Sequence, residues 1–267
     1  MTATSQNITE EGLVLRQDDD GVTTLTLNRP NQYNALSDDL LDALQTELDI
    51  ISPDESVRVI ILAANGRAFC AGHDLKQMRS RPEQEYYQDL FARCGRMMTT
   101  IMHQPQPVIA RVHGIATAAG CQIVAACDMA VASENARFAV SGINVGLFCS
   151  TPSVALARNI GRKRAMEMLL TGEFISAQQA VEEGLINHAV AADELDETIA
   201  QLARSICDKS PVAIRIGKAM FYKQLEMGVM EAYQFAGDTM SCNMMSEDAA
   251  EGIDAFMEKR PAQWKGR

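Results

Sequence analysis

The sequence predicts an α/β fold with a helical C-terminal region. Short apolar runs, typical of buried strands, alternate with segments of helical periodicity as far as about residue 190. From residue 192 onward the pattern is almost wholly helical. A chain of 267 residues with 47% hydrophobic content is long enough to bury one large core. We therefore predict a core over residues 1–191 and a helical region over residues 192–267.

The first quarter of the chain predicts a hairpin, a helix and a buried strand. Leu13–Leu15 and Val22–Leu27 have strand-like patterns, and the turn Asp18–Gly21 joins them. Ser37 is the expected N-cap of a helix in which leucines recur at helical spacing. Val57–Ala64 is a nearly continuous apolar run, which indicates a strand buried on both faces.

The middle of the chain repeats this alternation of strand and helix. We expect a helix over Glu83–His103, ended by the prolines that follow it, and a strand over Val108–Val112. Another helix is expected over Cys121–Cys127. Met129–Ala132 and Phe138–Val140 are again strand-like.

The last elements before the helical region are a helical segment, a capped helix and a strand. The pattern is helical over Pro152–Leu170, and Ser176 can cap a further helix that Gly184 ends. Leu185–Val190 is the strand after it. The methionines of the helical region fit either core filling or an oligomer surface. They are Met220, Met227, Met230, Met240, Met244, Met245 and Met257.

Composition excludes several classes of function. No apolar run approaches the ~20 residues that span a membrane, and Met1–Glu11 lacks the features of a signal peptide, so a cytoplasmic protein is expected. A net charge of −11 argues against nucleic acid and anionic membrane surfaces as partners. Seven cysteines without a C-x-x-C pair and four histidines without ligand spacing predict reduced thiols and no metal site.

Two glycine-containing turns are the main candidates for a functional site. Ala71-Gly72-His73 and Ala118-Ala119-Gly120 each follow a predicted buried strand, contain small residues and precede a helix. Backbone amides at a helix start favour an anion or a developing oxyanion. The alternative is a pair of tight strand-to-helix joints with close packing. Two amides converging from separate turns would hold a carbonyl oxygen better than one.

These turns, in their order and spacing, resemble the crotonase (enoyl-CoA hydratase/isomerase) superfamily. The resemblance implies a spiral of ββα repeats, a helical C-terminal trimerisation region and a homotrimer or hexamer. It also implies an acyl-CoA substrate, with coenzyme A part of that substrate and no separate cofactor. The matching stretches are Asn28-Arg29-Pro30, Asn34-Ala35-Leu36, Ala68–Leu75, His113–Asp128, Thr171-Gly172-Glu173 with Ala177, and Ala255–Arg260.

The resemblance also assigns residues to the site. It implies that the backbone amides of His73 and Ala119 form an oxyanion hole. Lys259 would contact a phosphate, and its alternative is a solvated lysine of the tail. The other implied substrate-binding residues are Ala68, Ala71, Leu75 and Gly120 near the thioester and CoA, and Phe256 at the adenine end, reached from a neighbouring subunit.

The chain departs from the family pattern where hydratases carry two glutamates. Gln122 and Gly142 stand at these positions. Gln122 can orient a water but cannot take its proton at neutral pH. The imidazole of His73 is an alternative base. Cys149, just after the second position, is either a buried thiol or a nucleophile or acid.

Three functions follow from this pattern. The first is an enzyme, a lyase or isomerase, that stabilises an acyl-CoA enolate with substituted acid–base groups. The second is an acyl-CoA-binding protein with little turnover, which the missing carboxylates favour. The third is thioester hydrolysis by Cys149 or a bound water.

Overall fold

The computed structural model describes residues 12–267, and the segment Met1–Glu11, on which the expectation of no signal peptide rests, lies outside them. The strands are β1 (Val14–Asp19), β2 (Val22–Leu27), β3 (Val59–Ala64), β4 (Ala68–Cys70), β5 (Val108–Val112), β6 (Ile115–Thr117), β7 (Met129–Ser133), β8 (Arg137–Ala139), β9 (Ile175–Ser176) and β10 (His188–Val190). The helices are α1 (Asp38–Ile51), α2 (Leu75–Ser80), α3 (Gln84–His103), α4 (Ala119–Ala126), α5 (Ser150–Asn159), α6 (Arg162–Thr171), α7 (Ala177–Glu182), α8 (Leu195–Cys207), α9 (Pro211–Gln224), α10 (Val229–Met244) and α11 (Glu247–Glu258). Two short 3-10 helices lie at Pro30–Gln32 and Ser141–Val145.

The strands form two sheets, and the chain alternates between them. The larger sheet has the order β1-β2-β3-β5-β7-β10 and the smaller one the order β4-β6-β8-β9. From β3 to β8, successive strands enter the larger and the smaller sheet in turn, and helices follow each pair. Neighbouring strands are parallel except for β1 with β2 and β8 with β9. This arrangement confirms the expected α/β spiral of ββα turns.

The core lies between the larger sheet and the helices that cover it. All six residues of β3 are buried, which confirms the prediction from its continuous apolar run. Ser37 is the N-cap of helix α1, as predicted, and its Oγ accepts a hydrogen bond from the Leu40 amide at 3.2 Å. Five apolar side chains of α1 at helical spacing are buried against the sheet.

The helical prediction over Pro152–Leu170 is confirmed except for a break that the pattern did not indicate. Two helices, α5 and α6, occupy this segment, because Ile160 and Gly161 have extended backbone. The side-chain amide of Asn159 donates to the carbonyls of Ala155 and Ala125, both at 2.8 Å, at the end of α5. Apolar periodicity continues across the break, so it did not reveal the interruption.

The central helix also differs from its prediction, since α4 begins at Ala119 and not at Cys121. The small residues before Cys121 read as loop in the sequence. The chain changes direction at Ala118, which has a φ of 51° and a ψ of −120°, and the helix begins at the next residue. All eight residues of α4 are buried, so this helix passes through the middle of the core.

The helical C-terminal region is present as predicted and is anchored to the core by a buried ion pair. Nζ of Lys218, on α9, lies 2.6 Å from Oδ2 of Asp128, which follows α4. The same ammonium donates to the carbonyls of Ile101 and Gln106. The Tyr222 hydroxyl donates to the other oxygen of Asp128 at 2.9 Å. These bonds connect α9 to the end of α3 and the start of β5.

The methionines of the helical region are mostly on the surface of the single chain. Met230 is 83% exposed and Met245 is 86% exposed. Helix α10 has no fully buried residue. Of the two explanations that the sequence left open, this exposure favours an interaction surface over core filling. Among residues 12–267, none of the helices has both the length and the hydropathy needed to cross a membrane.

Candidate active site

The two turns singled out in the sequence are in direct contact. Gly72 has a φ of +90°, a left-handed conformation that favours glycine. A Cβ at Gly72 would lie 2.8 Å from Cβ of Ala118 and 3.2 Å from the backbone nitrogen of Ala119. Only glycine therefore allows the two chain segments to approach this closely.

The contact brings together two backbone amides that have no hydrogen-bond partner in the described part of the chain. The amides of Ala71, Asp74 and Ala118 each donate to a backbone carbonyl. Within the described residues, the amides of His73 and Ala119 donate no hydrogen bond. The Ala119 amide is the first of α4, so it also carries part of the positive end of the helix dipole.

Ala118 holds the second turn in a conformation that is rare for a residue with a side chain. Its positive φ of 51° places it in the region where strain of about 1–3 kcal/mol is typical. The Ala118 amide donates to the carbonyl of Ala139 at 3.0 Å, which secures the turn to the end of β8. Strained residues of this kind cluster at functional sites.

A cavity of about 400 Å³ lies in front of the two turns. It is lined by Ala71, His73, Ala118 and Ala119 from the turns, and none of its lining residues in the described part of the chain is charged. Polar side chains come from Ser141, Cys149, Ser150 and Thr151. Its larger apolar lining consists of Leu75, Met78, Phe91, Val145, Leu147 and Phe148.

The imidazole of His73 is a neutral part of this lining. Burial lowers the pKa of His73 to about 4, against a partial opposing effect of the Leu36 carbonyl and the Asp38 carboxylate. Both ring nitrogens are buried without a hydrogen-bond partner among residues 12–267. The ring packs edge-on against Phe91, with centroids 5.5 Å apart. At neutral pH this histidine is therefore uncharged.

Position 142, where the resemblance led us to expect a glutamate in hydratases, has no room for a side chain. A Cβ at Gly142 would lie 2.7 Å from the carbonyl oxygen of Leu147 and 2.8 Å from Sγ of Cys149. The Cys149 thiol accepts a hydrogen bond from the Gly142 amide at 3.3 Å. Burial raises the pKa of this thiol, partly offset by that bond, so it is protonated at neutral pH.

Gln122 does not line the cavity. Its side chain is 4% exposed, and its Oε1 has no hydrogen-bond partner within the part of the chain that the structure describes. Sequence reasoning missed the polar pair formed by Thr117 and Ser141, whose hydroxyl oxygens lie 2.8 Å apart. The only signal for it in the sequence was that Ser141 directly follows the predicted strand Phe138–Val140.

The residues expected to bind substrate are divided between two places. Ala71 and Leu75 line the cavity. Ala68 does not, and its carbonyl accepts from the Asn34 side chain at 2.9 Å. Gly120 packs against Cys70, where an added Cβ would lie 2.1 Å from the Cys70 carbonyl oxygen. We therefore give Gly120 a packing role in this chain.

Phe256 and Lys259 lie outside the cavity in the single chain. Phe256 is 85% exposed on α11, and Lys259 has a left-handed backbone at the end of that helix. Their expected contact with CoA therefore requires a second copy of the chain or a ligand that extends to α11.

Comparison with known proteins identifies the family. The model of the enoyl-CoA hydratase/isomerase family matches residues 17–267. The human enoyl-CoA hydratase domain-containing protein 3, mitochondrial, is 45% identical over 245 residues, which are 92% of this chain and 81% of that protein. The 2,3-dehydroadipyl-CoA hydratase of Escherichia coli K12 is 34% identical over 247 residues, 92% of this chain and 96% of that protein. A crystal structure of an enoyl-CoA hydratase from Mycobacterium smegmatis is 58% identical, with a TM-score of 0.94 and coverage of 95% of this chain and 99% of that one.

These comparisons correct the expected location. Relatives from rat, frog, mouse, human and zebrafish, between 41% and 45% identical, are all named mitochondrial. These names contradict the cytoplasmic expectation, which is therefore wrong. It rested on the composition of Met1–Glu11, and a polar segment by itself does not specify a compartment.

Proposed function

Since the chain belongs to the enoyl-CoA hydratase/isomerase family of acyl-CoA enzymes, we propose that it holds the carbonyl oxygen of an acyl-CoA thioester between the amides of His73 and Ala119. The observation that supports this most directly is that both amides, on two turns in contact at Gly72, have no hydrogen-bond partner among residues 12–267. Donors fixed before the reaction stabilise an oxygen that gains negative charge as an enolate forms. Removal of one such donor typically costs ~10²–10³ in rate.

The acyl group enters the cavity in front of the turns and carries no charge. A carboxylate on the acyl chain would lose its hydration in this lining without gaining a basic partner. The side chains of Leu75, Phe91 and Leu147 instead offer apolar contact to an alkyl or alkenyl chain.

The reaction we propose is enolate chemistry of the lyase or isomerase type. Positioned acid–base groups typically contribute ~10²–10⁴ each. The titratable residues of the cavity lining are His73, which is neutral with a low pKa, and Cys149, which is a protonated thiol. Stabilisation by the two amides is therefore the main catalytic device, and proton transfer depends on water or on these weak groups.

A second candidate function is acyl-CoA binding with little turnover. The lack of any carboxylate among the lining residues of the described chain favours it. Hydrolysis through Cys149 is less well supported, because a raised thiol pKa keeps the nucleophilic thiolate scarce.

One experiment separates these functions. Purified protein is incubated with a panel of 2-enoyl-CoA, 3-enoyl-CoA and saturated acyl-CoA esters, and products, free CoA and dissociation constants are measured. Hydrated or isomerised product supports the enzyme. Tight binding without product across the panel would support the binding protein, and CoA release that Cys149→Ala abolishes would support the thioesterase.

We also propose that the C-terminal helices form the surface on which copies of the chain assemble as a trimer or hexamer. Exposed apolar side chains on α9–α11 support this proposal, since patches of this kind mark interaction sites. Assembly would place Phe256 and Lys259 of one copy near the CoA of another.

A further inference from the structure

The hydroxyl groups of Thr117 and Ser141 form a pair at the edge of the cavity. Thr117 ends β6, and Ser141 follows β8, the parallel neighbour of β6. The two hydroxyl oxygens are 2.8 Å apart, and either one can be the donor. The sheet register therefore brings together two polar side chains that are distant in sequence.

This pair has one hydroxyl hydrogen that no group among the described residues accepts. Each hydroxyl carries a single hydrogen, and their mutual bond uses one of the two. Neither side chain has another hydrogen-bond partner among residues 12–267. Ser141 lines the cavity and Thr117 does not. When Thr117 donates to Ser141, the hydrogen of Ser141 is available to a ligand in the cavity.

The pair is close to the Ala119 amide. Thr117 precedes Ala119 by two residues, so their Cα atoms are at most about 7.6 Å apart. Ser141 is followed by Gly142, whose amide is held by the thiol of Cys149. A polar but uncharged group thus stands beside the end of the cavity that receives the thioester, while the apolar side chains come from α2, α3 and the loop after residue 144.

We propose that Ser141, positioned by Thr117, binds a neutral oxygen substituent on the acyl group near the thioester, such as a hydroxyl at C3. This inference rests on the proposed function, because it assumes that an acyl-CoA occupies the cavity. It gives Ser141 a role in substrate selection and Thr117 a positioning role. A ligand with a 3-hydroxyl group gains a hydrogen bond that a saturated ligand of equal length lacks.

The test compares the affinities of 3-hydroxybutyryl-CoA and butyryl-CoA for the full-length protein, with ester composition checked by chromatography after each titration. We expect the hydroxylated ester to bind about three- to tenfold more tightly, as a single net hydrogen bond predicts. Ser141→Ala should abolish this preference, because the hydroxylated ester loses the hydrogen bond that the saturated ester never makes. Thr117→Val should reduce the preference, and Thr117→Ser should restore it.

Ser153→Ala is the matched control, because the Ser153 hydroxyl donates to the Ser150 carbonyl and does not line the cavity. It should keep the wild-type preference. Equal weakening of both esters by Ser141→Ala, or an unchanged preference, would overturn the role of Ser141 alone. Failure of wild-type protein to bind either ester would overturn the proposed function as well. If Thr117→Val does not fold, the comparison of Ser141→Ala with Ser153→Ala still shows whether Ser141 causes the preference for the hydroxylated ester.

Discussion

The thiol of Cys149 lies 3.3 Å from the backbone amide of Gly142 and fills the space that a side chain at position 142 would need. The two residues therefore depend on each other. A glycine at position 142 leaves space for the Cys149 thiol. That thiol in turn accepts a hydrogen bond from the segment that follows β8. A carboxylate at position 142 cannot be introduced without displacing this thiol.

Gly142→Ala should destabilise the protein by about 1–3 kcal/mol, the usual cost of overpacking a close-packed site. Combining it with Cys149→Ala should recover part of the lost stability, because the thiol no longer occupies the space of the new Cβ. Recovery should be incomplete, because the Leu147 carbonyl oxygen would still lie 2.7 Å from that Cβ. The free energy of unfolding in urea, measured for the two single variants and the double variant, gives the coupling. Strictly additive effects would show that the two side chains do not compete for space.

Gly72→Ala should separate the two turns and disable the site. The new Cβ meets Ala118 and the Ala119 nitrogen, and the residue must also keep a φ of +90°. We expect turnover of an enoyl-CoA, or affinity for an acyl-CoA if there is no turnover, to fall by at least about 10². Gly95→Ala is the matched control, because a Cβ at this position in α3 would have no atom of residues 12–267 within 4 Å beyond its own helix backbone and chain neighbours. If Gly72→Ala folds and keeps full activity, the contact between the turns is not required.

His73 should make stability depend on pH in acid. Its pKa is about 4 in the folded protein and near its ordinary value of 6.5 when unfolded. As pH falls from 6.5 to 4, only the unfolded chain takes up a proton on this histidine. The free energy of unfolding should therefore be constant with respect to His73 above pH 6.5 and should fall by up to about 3 kcal/mol between pH 6.5 and pH 4. The difference between wild type and His73→Leu in unfolding free energy, measured from pH 4 to pH 8, isolates this contribution.

The same variant tests whether the imidazole takes part in the reaction. Because the proposed role of His73 uses its backbone amide, His73→Leu should bind acyl-CoA within a few-fold of wild type, with no inflection near pH 6.5 in either protein. A loss of 100-fold or more in turnover with unchanged affinity would assign the side chain to proton transfer.

Lys218→Met should loosen the C-terminal helices from the core. It leaves the Asp128 carboxylate buried without its cation, which typically costs 3–5 kcal/mol. Arg204→Met removes an ion pair with Glu197 in which both side chains are more than 60% exposed, and should cost less than about 1 kcal/mol. Thermal unfolding of both variants checks this. Equal effects would mean that the buried pair does not anchor α9.

Periodicity and capping were enough to predict most of the fold. The apolar run of β3 and the helix caps at Ser37 and Ser176 are local signals, and each lies where it was expected. The break at Gly161 was missed because apolar residues continue across it. The sequence did not decide whether the methionines of the helical region fill the core or form a surface, because the pattern does not show which side of each helix faces the core.

Only the part of the site that is formed by backbone atoms of the two small-residue turns could be predicted from the sequence. Small residues at Gly72 and Ala119 indicated close approach, and the structure shows which atoms meet. The contact of Cys149 with Gly142 and the pair of Thr117 with Ser141 depend on register and loop geometry, so neither follows from residue spacing. The low pKa of His73 is likewise an effect of burial that composition does not reveal.

The most direct test of the account is the carbonyl stretching frequency of a ¹³C-labelled acyl-CoA thioester bound to the protein, measured by difference infrared spectroscopy. Two amide donors at the carbonyl oxygen should lower this frequency below its value in water, and Gly72→Ala should return it toward that value. A bound thioester whose frequency equals that in water, in wild type and Gly72→Ala alike, would contradict the assignment of the His73 and Ala119 amides.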